Sequence, residues 1–333
     1  MGSEMCIRDR MGVVLTNNDD AYRTALRLKA AGIGVAGIVD SRSAPEGALI
    51  DAARDAGLDV TTGHAIAGVE SEWSGRSIDA VKIAPYSAGQ GRVVNETRID
   101  CDFVAVSGGW NPVVHMWCHQ GGKLRFDTGL QGFVPDRHTD AMHIAGSANG
   151  QMSVGACIED GYGAGERAAR AALPKPKAAK VKTPKTDQEA EGALEPIWFA
   201  PATGKYNEGN KHFIDFQNDV TAADLELAQR EGYESIEHTK RYTTLGMATD
   251  QGKTSNINAL GVLSQATGRD IPDIGTTTFR PPYTPISMGS IAGTAVKKLF
   301  HPVRKTPVFA WHQAQGADFE PVGDWRRPYC YPN

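Results

Sequence analysis

Apolar positions along the chain change their spacing several times, and each change marks an element. Val13 to Leu15 form a short apolar run. Thr16, Asn17, Asn18 and Asp19 follow with side chains suited to capping, and Ala21, Tyr22, Ala25, Leu26 and Leu28 then recur at helical spacing until Gly32. A second buried-strand run covers 35–39 and ends at Asp40. The pattern then predicts a helix over 45–56, stopped by Gly57, and a strand around Leu58 and Val60. Strands alternating with helices in this order predict a βαβαβ unit with a parallel sheet. Beyond it, 78–83 and 92–97 read as a hairpin across the polar turn 87–91. Phe103 to Val106 returns as an apolar strand, completing a three-stranded meander.

The stretch 142–145 reads as one more strand, leading into Gly146-Ser147-Ala148-Asn149-Gly150. A small-residue helix is expected over 153–172, with Gly161, Gly163 and Gly165 permitting close packing. Residues 173–196 differ in kind: Pro174, Pro176, Pro184 and Pro196 alternate with Lys175, Lys177, Lys180, Lys182 and Lys185 without an apolar period, as in a solvated linker. A second folded region, 197–300, is helical by its periods. Thr221 caps a helix over 222–231, Ser255 to Thr267 form another, closed by Gly268, and Pro281, Pro282 and Pro285 end the pattern. The tail from Thr306 carries Trp311, Phe319, Trp325, Tyr329 and Tyr331 with no evident element to pack them, so 301–333 reads as the start of a further domain. Residues 1–10, MGSEMCIRDR, have no period and precede a second Met, Met11; they read as a tail or an artefact.

Composition narrows the class. A chain of 333 residues with 41% apolar content has room for about two domains. Its 35 Lys and Arg stand against 39 Asp and Glu, a net charge of -4, which leaves no positive field for a nucleic-acid backbone. The five cysteines, Cys6, Cys101, Cys118, Cys157 and Cys330, include no C-x-x-C pair, which argues against a disulfide framework or a zinc ribbon and fits a reducing cytoplasm. No apolar run reaches the ~18 to 20 residues needed to cross a bilayer, so no membrane association is expected.

The first βαβ turn has the dinucleotide-binding layout, with Asp40 placed to bond a ribose hydroxyl. The glycines that would admit a pyrophosphate are replaced by TNNDDA over 16–21, and Asp19 and Asp20 in the first helical turn satisfy the helix dipole and repel phosphate. The residues favour a self-capped helix in a degenerate nucleotide fold. The turn from Gly146 to Ser153 is the better anion or ribose site, with a tight turn capped by Ser153 as its plain alternative. His115 and His119 share a helical spacing but lack a third ligand nearby, so packing is favoured over zinc. Cys118 and Cys157 read as core thiols. GMATDQGKTSN, 246–256, resembles a phosphate loop without its first glycine or a preceding strand. Its Lys253, Thr254 and Ser255, with Thr276 to Arg280, could hold one phosphate group or simply cap and pack.

Taken together, CDFVAVSGGWNP (101–112), HIAGSANG (143–150), DFQNDVT (215–221), KRYTTLGMATDQGK (240–253) and GTTTFRPPY (275–283) closely resemble the alpha subunits of heterotetrameric sarcosine oxidase, over about Gly12 to Asn333. The resemblance implies part of a two-dinucleotide-binding, Rossmann-like α/β domain over 11–172, with the glycine-rich first half absent. It also implies a small helical domain over 197–300 and the beginning of an aminomethyltransferase-like folate domain, so that the chain is an internal fragment. NAD is then expected beside Gly146, Ser147, Ala148, Gln151, Met152 and Ser153. Amine oxidation is expected on an FAD held mainly by the beta subunit, with FMN at the alpha/beta interface relaying electrons to oxygen and tetrahydrofolate trapping the one-carbon unit. Lys253, Thr254 and Arg280 are expected to face the FMN phosphate. Beta, gamma and delta subunits are the implied partners, no catalytic residue is expected in this chain, and alone it should not turn over. The alternatives are the alpha-like subunit of an opine, proline or hydroxyproline dehydrogenase, and a non-catalytic scaffold subunit.

The helical domain resembles the two-iron, two-sulfur ferredoxin module of those dehydrogenases. Aligned on that pattern, Asp215, Gln217, Asp250 and Ser255 occupy the four cysteine positions. Carboxylates, an amide and a hydroxyl form a hard ligand set, unlike the thiolates a cluster needs. No cluster and no other metal is therefore expected, with Asp215 and Asp250 left free to cap helices.

Overall fold

In the computed structural model, β1 (Met11–Thr16), β2 (Gly34–Asp40) and β3 (Val60–Thr62) lie parallel, and β7 (Phe103–Ser107) pairs parallel with the other side of β1, giving the order β3-β2-β1-β7. Residues 10–86, 95–137, 141–173, 182–184, 186, 192–200, 211–282, 284–296 and 302–332 are described. They divide into two units, Met1–Tyr283 and Thr284–Asn333.

Successive residues of β1 face opposite sides of the sheet, and both sides are covered. Val14 packs with Ile38 among Tyr22, Ala25 and Ile50 of helices α1 (Asp20–Ala30) and α2 (Ala48–Asp55). Val13 and Val39 face the opposite way, onto Val81, Ile83 and Cys101. This second cover is an antiparallel sheet of β4 (His64–Ser71), β5 (Ile78–Pro85) and β6 (Thr97–Asp100), with Ala80 opposite Asp100 and Ile83 opposite Thr97. The meander therefore differs from the one expected. Its first strand is 64–71, where Ile66, opposite Ile83, packs onto this core while Ala65 and Ala67 are buried on the other face, so that no apolar alternation marks the strand. Phe103–Ser107 leaves the meander for the parallel sheet. The expected turn 87–91 and most of 92–97 lie outside the described residues.

Helix α2 begins at Ala48 rather than Pro45, after Gly47 at φ 150°. Helix α3 (His115–His119) and the hairpin β8 (Leu124–Asp127) and β9 (Gly132–Pro135) follow the sheet. The expected strand over 142–145 is extended at Ala145 but, apart from an isolated bridge at Met142, joins no sheet. Gly146–Asn149 form a 3-10 turn leading to α4 (Val154–Ala172), whose first turn is capped by Ser153 Oγ accepting from the Ala156 N–H at 3.2 Å.

The short pair β10 (Phe213–Asp215) and β11 (Val220–Thr221) opens the helical region. A capping box starts α5 (Ala222–Arg230): Thr221 Oγ1 accepts from the Asp224 N–H at 3.3 Å, and Asp224 Oδ2 accepts from the Thr221 N–H at 2.8 Å. Helix α6 (Ile236–Thr243) and the central α7 (Asn256–Thr267) follow, the latter ended by Gly268 at φ 68°, before the single turn α8 (Ile271–Ile274). Five successive residues of α7, Ala259 to Leu263, are buried, because neighbours surround it. Leu225, Ile236, Leu245 and Ile271 pack around it, and Phe126, Phe133, Trp198 and Phe199 join from outside.

The second unit contains α9 (Met288–Val296) and a sheet of β12 (Arg304–Lys305), β14 (Trp325–Cys330) and β13 (Asp318–Val322) with α10 (Phe309–Ala314). The C-terminal aromatics thus have elements of their own, contrary to the sequence reading. Phe309 stacks on Phe319 at 4.3 Å. Turn residues between short strands hide such a sheet from periodicity.

Candidate functional site

Asp40, at the end of β2, is fully buried and committed to its own chain. Its carboxylate accepts from Arg42 Nη2 at 2.8 Å, Arg42 Nε at 3.1 and 3.2 Å, the Arg42 N–H at 2.9 Å and the Tyr22 hydroxyl at 2.8 Å. Burial first, and then the Asp40 contact, push the Tyr22 phenol well above its usual range. Arg42 Nη1 reaches Asp19 Oδ1 at 2.7 Å. Asp40 has no oxygen left for a ribose, in keeping with a degenerate nucleotide fold, while Asp19 faces Arg42 and makes no cap bond to α1. The first-turn amide of Asp20 donates instead to Asn18 Oδ1 at 3.0 Å.

The turn from Gly146 to Ser153 does stand at a helix start, with Gly146 at φ 69° and Gly150 at φ 85°. Gly150 backs so closely onto Leu130 and Val134 that a Cβ would stand 2.8 and 3.0 Å from them. The Gly146 N–H, however, donates to Asp160 Oδ2 at 3.0 Å, and Asn149 Nδ2 donates to the same oxygen at 3.0 Å. The turn therefore faces a carboxylate, whose other oxygen lies 3.9 Å from Arg167 Nη2. That chemistry suits a sugar hydroxyl better than a phosphate.

A basic cleft of about 290 Å³ lies between α6 and two loops, lined by Glu237, Lys240, Arg241, Met247, Thr278 and Arg280. Lys240 Nζ donates to the Thr278 carbonyl at 3.3 Å, and Arg241 pairs with Glu237 at 3.0 Å. Burial lowers the Lys240 pKa; Glu237 opposes that, and Arg241 and Arg280 reinforce it. Three cations thus share one carboxylate, and an anion would relieve their repulsion.

Lys253 and Thr254 are not brought to Arg280 in this way. Lys253 lines a separate small cavity with His115, Asn256 and Phe279, and Thr254 Oγ1 donates to Asp250 Oδ2 at 2.6 Å. Sequence reading missed Lys240 and Arg241; their signal is the basic pair in the last turn of a helix with Glu237 four residues before Arg241. His115 is buried with its ring 3.8 Å from that of Phe279, and burial, followed by the Lys253 charge, pushes its pKa down to about 4. Among the described residues no group of three or more His, Cys, Asp or Glu is arranged to hold a metal ion. Burial lifts the Cys118 thiol to about 11, but Cys118 and Cys157 are only half-buried and not the core thiols expected.

Three of the four positions aligned with cluster cysteines share one network. Asp215 Oδ1 accepts from the Gln217 N–H at 2.9 Å and the Asn218 N–H at 3.3 Å, while Oδ2 accepts from the Gly246 N–H at 2.7 Å. Gln217 Oε1 accepts from Thr249 Oγ1 at 3.1 Å and the Asp250 N–H at 3.3 Å. Asp250 accepts from the Gly252 N–H at 2.9 Å. These carboxylates hold loops 215–218 and 246–254 together instead of capping helices. Ser255, fully buried, stands at the start of α7 outside this network.

A parallel sheet covered by helices on one face and an antiparallel meander on the other, followed by a small helical domain, is a Rossmann-like α/β architecture. The structure of L-proline dehydrogenase from P. horikoshii shares this fold, with a TM-score of 0.51 at 19% identity over 85% of this chain and 50% of that one. Residues 209–295 match the sarcosine oxidase A3 domain. The chain is 40% identical over 324 residues to sarcosine oxidase subunit alpha of Corynebacterium sp. (strain P-1), covering 96% of this chain and 33% of that subunit. It is 38% identical to the subunit of Rhizobium meliloti (strain 1021), covering 97% of this chain and 31% of that one. Along nearly its whole length the chain is similar to sarcosine oxidase alpha subunits, and it spans about a third of the length of these curated relatives.

Proposed function

We propose that this chain serves as part of the alpha subunit of an amine-oxidising flavoenzyme complex that demethylates sarcosine to glycine, with formaldehyde or its folate adduct and peroxide as the other products. The similarity to sarcosine oxidase alpha subunits along nearly the whole chain carries this reading. In it, beta, gamma and delta subunits complete a cytoplasmic heterotetramer, FAD on the beta subunit supplies the amine oxidation, and tetrahydrofolate is bound beyond this chain.

The basic cleft suits the phosphate of an FMN at the alpha/beta interface. Arg280 is retained from the sequence reading, and Lys240 and Arg241 join it. Lys253 and Thr254 stand one loop away. NAD would place a ribose beside Gly146, Ser147, Ala148, Gln151, Met152 and Ser153, where Asp160 accepts hydroxyl protons; its pyrophosphate needs amides from elsewhere, so this chain alone binds it weakly. In the helical domain, oxygen ligands already engaged with backbone amides leave no thiolate set for an iron-sulfur cluster.

The chain combined with beta, gamma and delta subunits should form peroxide in a sarcosine-dependent manner, and the purified chain alone should form none. Turnover by the isolated chain, or a reconstituted complex indifferent to sarcosine, would sink this reading.

A further inference from the structure

Open α/β sheets hold their ligands in the crevice beyond the carboxyl ends of the strands. Here that edge is covered by the chain itself. The Gly192 N–H donates to Asp19 Oδ2 at 2.6 Å, Arg42 Nη1 donates to the Ala193 carbonyl at 3.3 Å, and the Glu195 N–H donates to the Asn17 carbonyl at 3.3 Å. Leu194 lies so close to Gly109, just past β7, that a Cβ there would overlap it. Gly192 itself passes the buried ion pair closely: a Cβ would stand 3.0 Å from Asp19 Oδ2 and 3.2 Å from Arg42 Nη1. Asp19 and Arg42 are 5% and 3% exposed. This is how a peptide ligand would lie in the crevice.

The same segment has a second anchor. Trp198 packs on Gly261 of the central helix α7, where any side chain would collide with the indole, and the Phe199 ring lies 4.3 Å from that of His212. From Leu194 to Trp198 an extended chain reaches at most about 14 Å. The two anchors are thus at most that far apart along the strap.

We propose that residues 192–199 form a two-anchor strap, a built-in occupant that closes the nucleotide crevice at β1, β2 and β7 to dinucleotides and ties it to the core of the helical domain. The charges agree. Arg42 is already matched by two carboxylates, so a pyrophosphate entering here meets Asp19 with no spare cation. A peptide brings what the crevice lacks, an N–H for Asp19 and a carbonyl for Arg42. A ligand taking its place has to lift Leu194 and pull on Trp198.

Hydrogen exchange followed by mass spectrometry on the whole chain tests this. The amides of Gly192 and Glu195 should be protected in the wild type. Gly192→Pro, which removes the donor, and Leu194→Asp should each speed exchange at Glu195 by about tenfold or more while leaving β1 and β2 unchanged. NAD at millimolar concentration should leave exchange over 192–199 unaltered. Exchange of the wild-type Glu195 amide at the rate of unstructured peptide, variants without effect, or NAD that accelerates exchange over 192–199 would each overturn the proposal. Binding at the Gly146 turn would protect that turn without moving the strap, so the strap and the NAD reading fail separately. The wild-type and NAD measurements need no substitution, and both variants lie on the strap itself.

Discussion

The Gly246 amide donates to the buried carboxylate of Asp215 across 2.7 Å, joining the loop after α6 to the end of β10. Asp215 also gathers the Gln217 and Asn218 amides, so one side chain holds three backbone donors. Asp215→Ala leaves these donors unpaired, at a cost of about 1–3 kcal/mol. Asp215→Asn, which retains an acceptor, should cost less. Urea unfolding of the two variants checks this, and equal midpoints would contradict the network's role.

The same network bears on metal content. Protein purified anaerobically should contain no stoichiometric iron or acid-labile sulfide. About two of each per chain would mean that the domain assembles a cluster despite its hard ligand set.

Arg42 stands between two buried carboxylates, Asp40 and Asp19. Arg42→Met strands both charges and should destabilise the α/β unit by about 3–5 kcal/mol. Tyr22→Phe removes one hydrogen bond to Asp40 and should cost about 1–3 kcal/mol. Thermal unfolding of both, with a smaller shift for Tyr22→Phe, is the expected outcome; the reverse order would show that the Tyr22 hydroxyl, and not charge pairing with Arg42, chiefly holds Asp40 in place.

His115 is held neutral, its pKa pushed from the ordinary 6.5 to about 4, chiefly by burial against Phe279. The unfolded chain takes up the proton first as pH falls. Stability from this group is therefore complete above about pH 6.5 and is lost between about 6.5 and 4, by up to about 1.4 kcal/mol per pH unit. His115→Phe should flatten that dependence. Parallel urea-midpoint curves for the two proteins between pH 7.5 and 5 would remove His115 as its source.

The basic cleft makes a prediction that separates its members. In a reconstituted complex, Lys240→Ala with Arg280→Ala should weaken FMN retention by about a hundredfold or more, each lost charge-assisted bond being worth about 1.5–3 kcal/mol. Lys253→Ala should change it little. Flavin released on gel filtration reports both, and loss only in the Lys253 variant would return the phosphate to the 253–255 loop.

Local patterns in the sequence determined much of this protein. The alternation of strand runs and helical periods specified the βαβαβ unit, Thr221 and Asp224 specified the start of α5, and Gly268 the end of α7, because caps and periods act within a few residues. Strings that resemble sarcosine oxidase alpha subunits also pointed to the relatives that the chain matches at 38–40% identity. Tertiary structure decided what required partners far apart in the chain. Whether Asp40 meets a ribose or Arg42 and Tyr22 depends on how β2 and α1 close on each other. Arg280 joins Lys240 and Arg241 only through the fold of the 276–280 loop over α6. The strap at Gly192 pairs with Asp19 across 173 residues. Such contacts leave no periodic trace, since a hydrogen bond or ion pair constrains only the two groups that make it, wherever the chain has placed them.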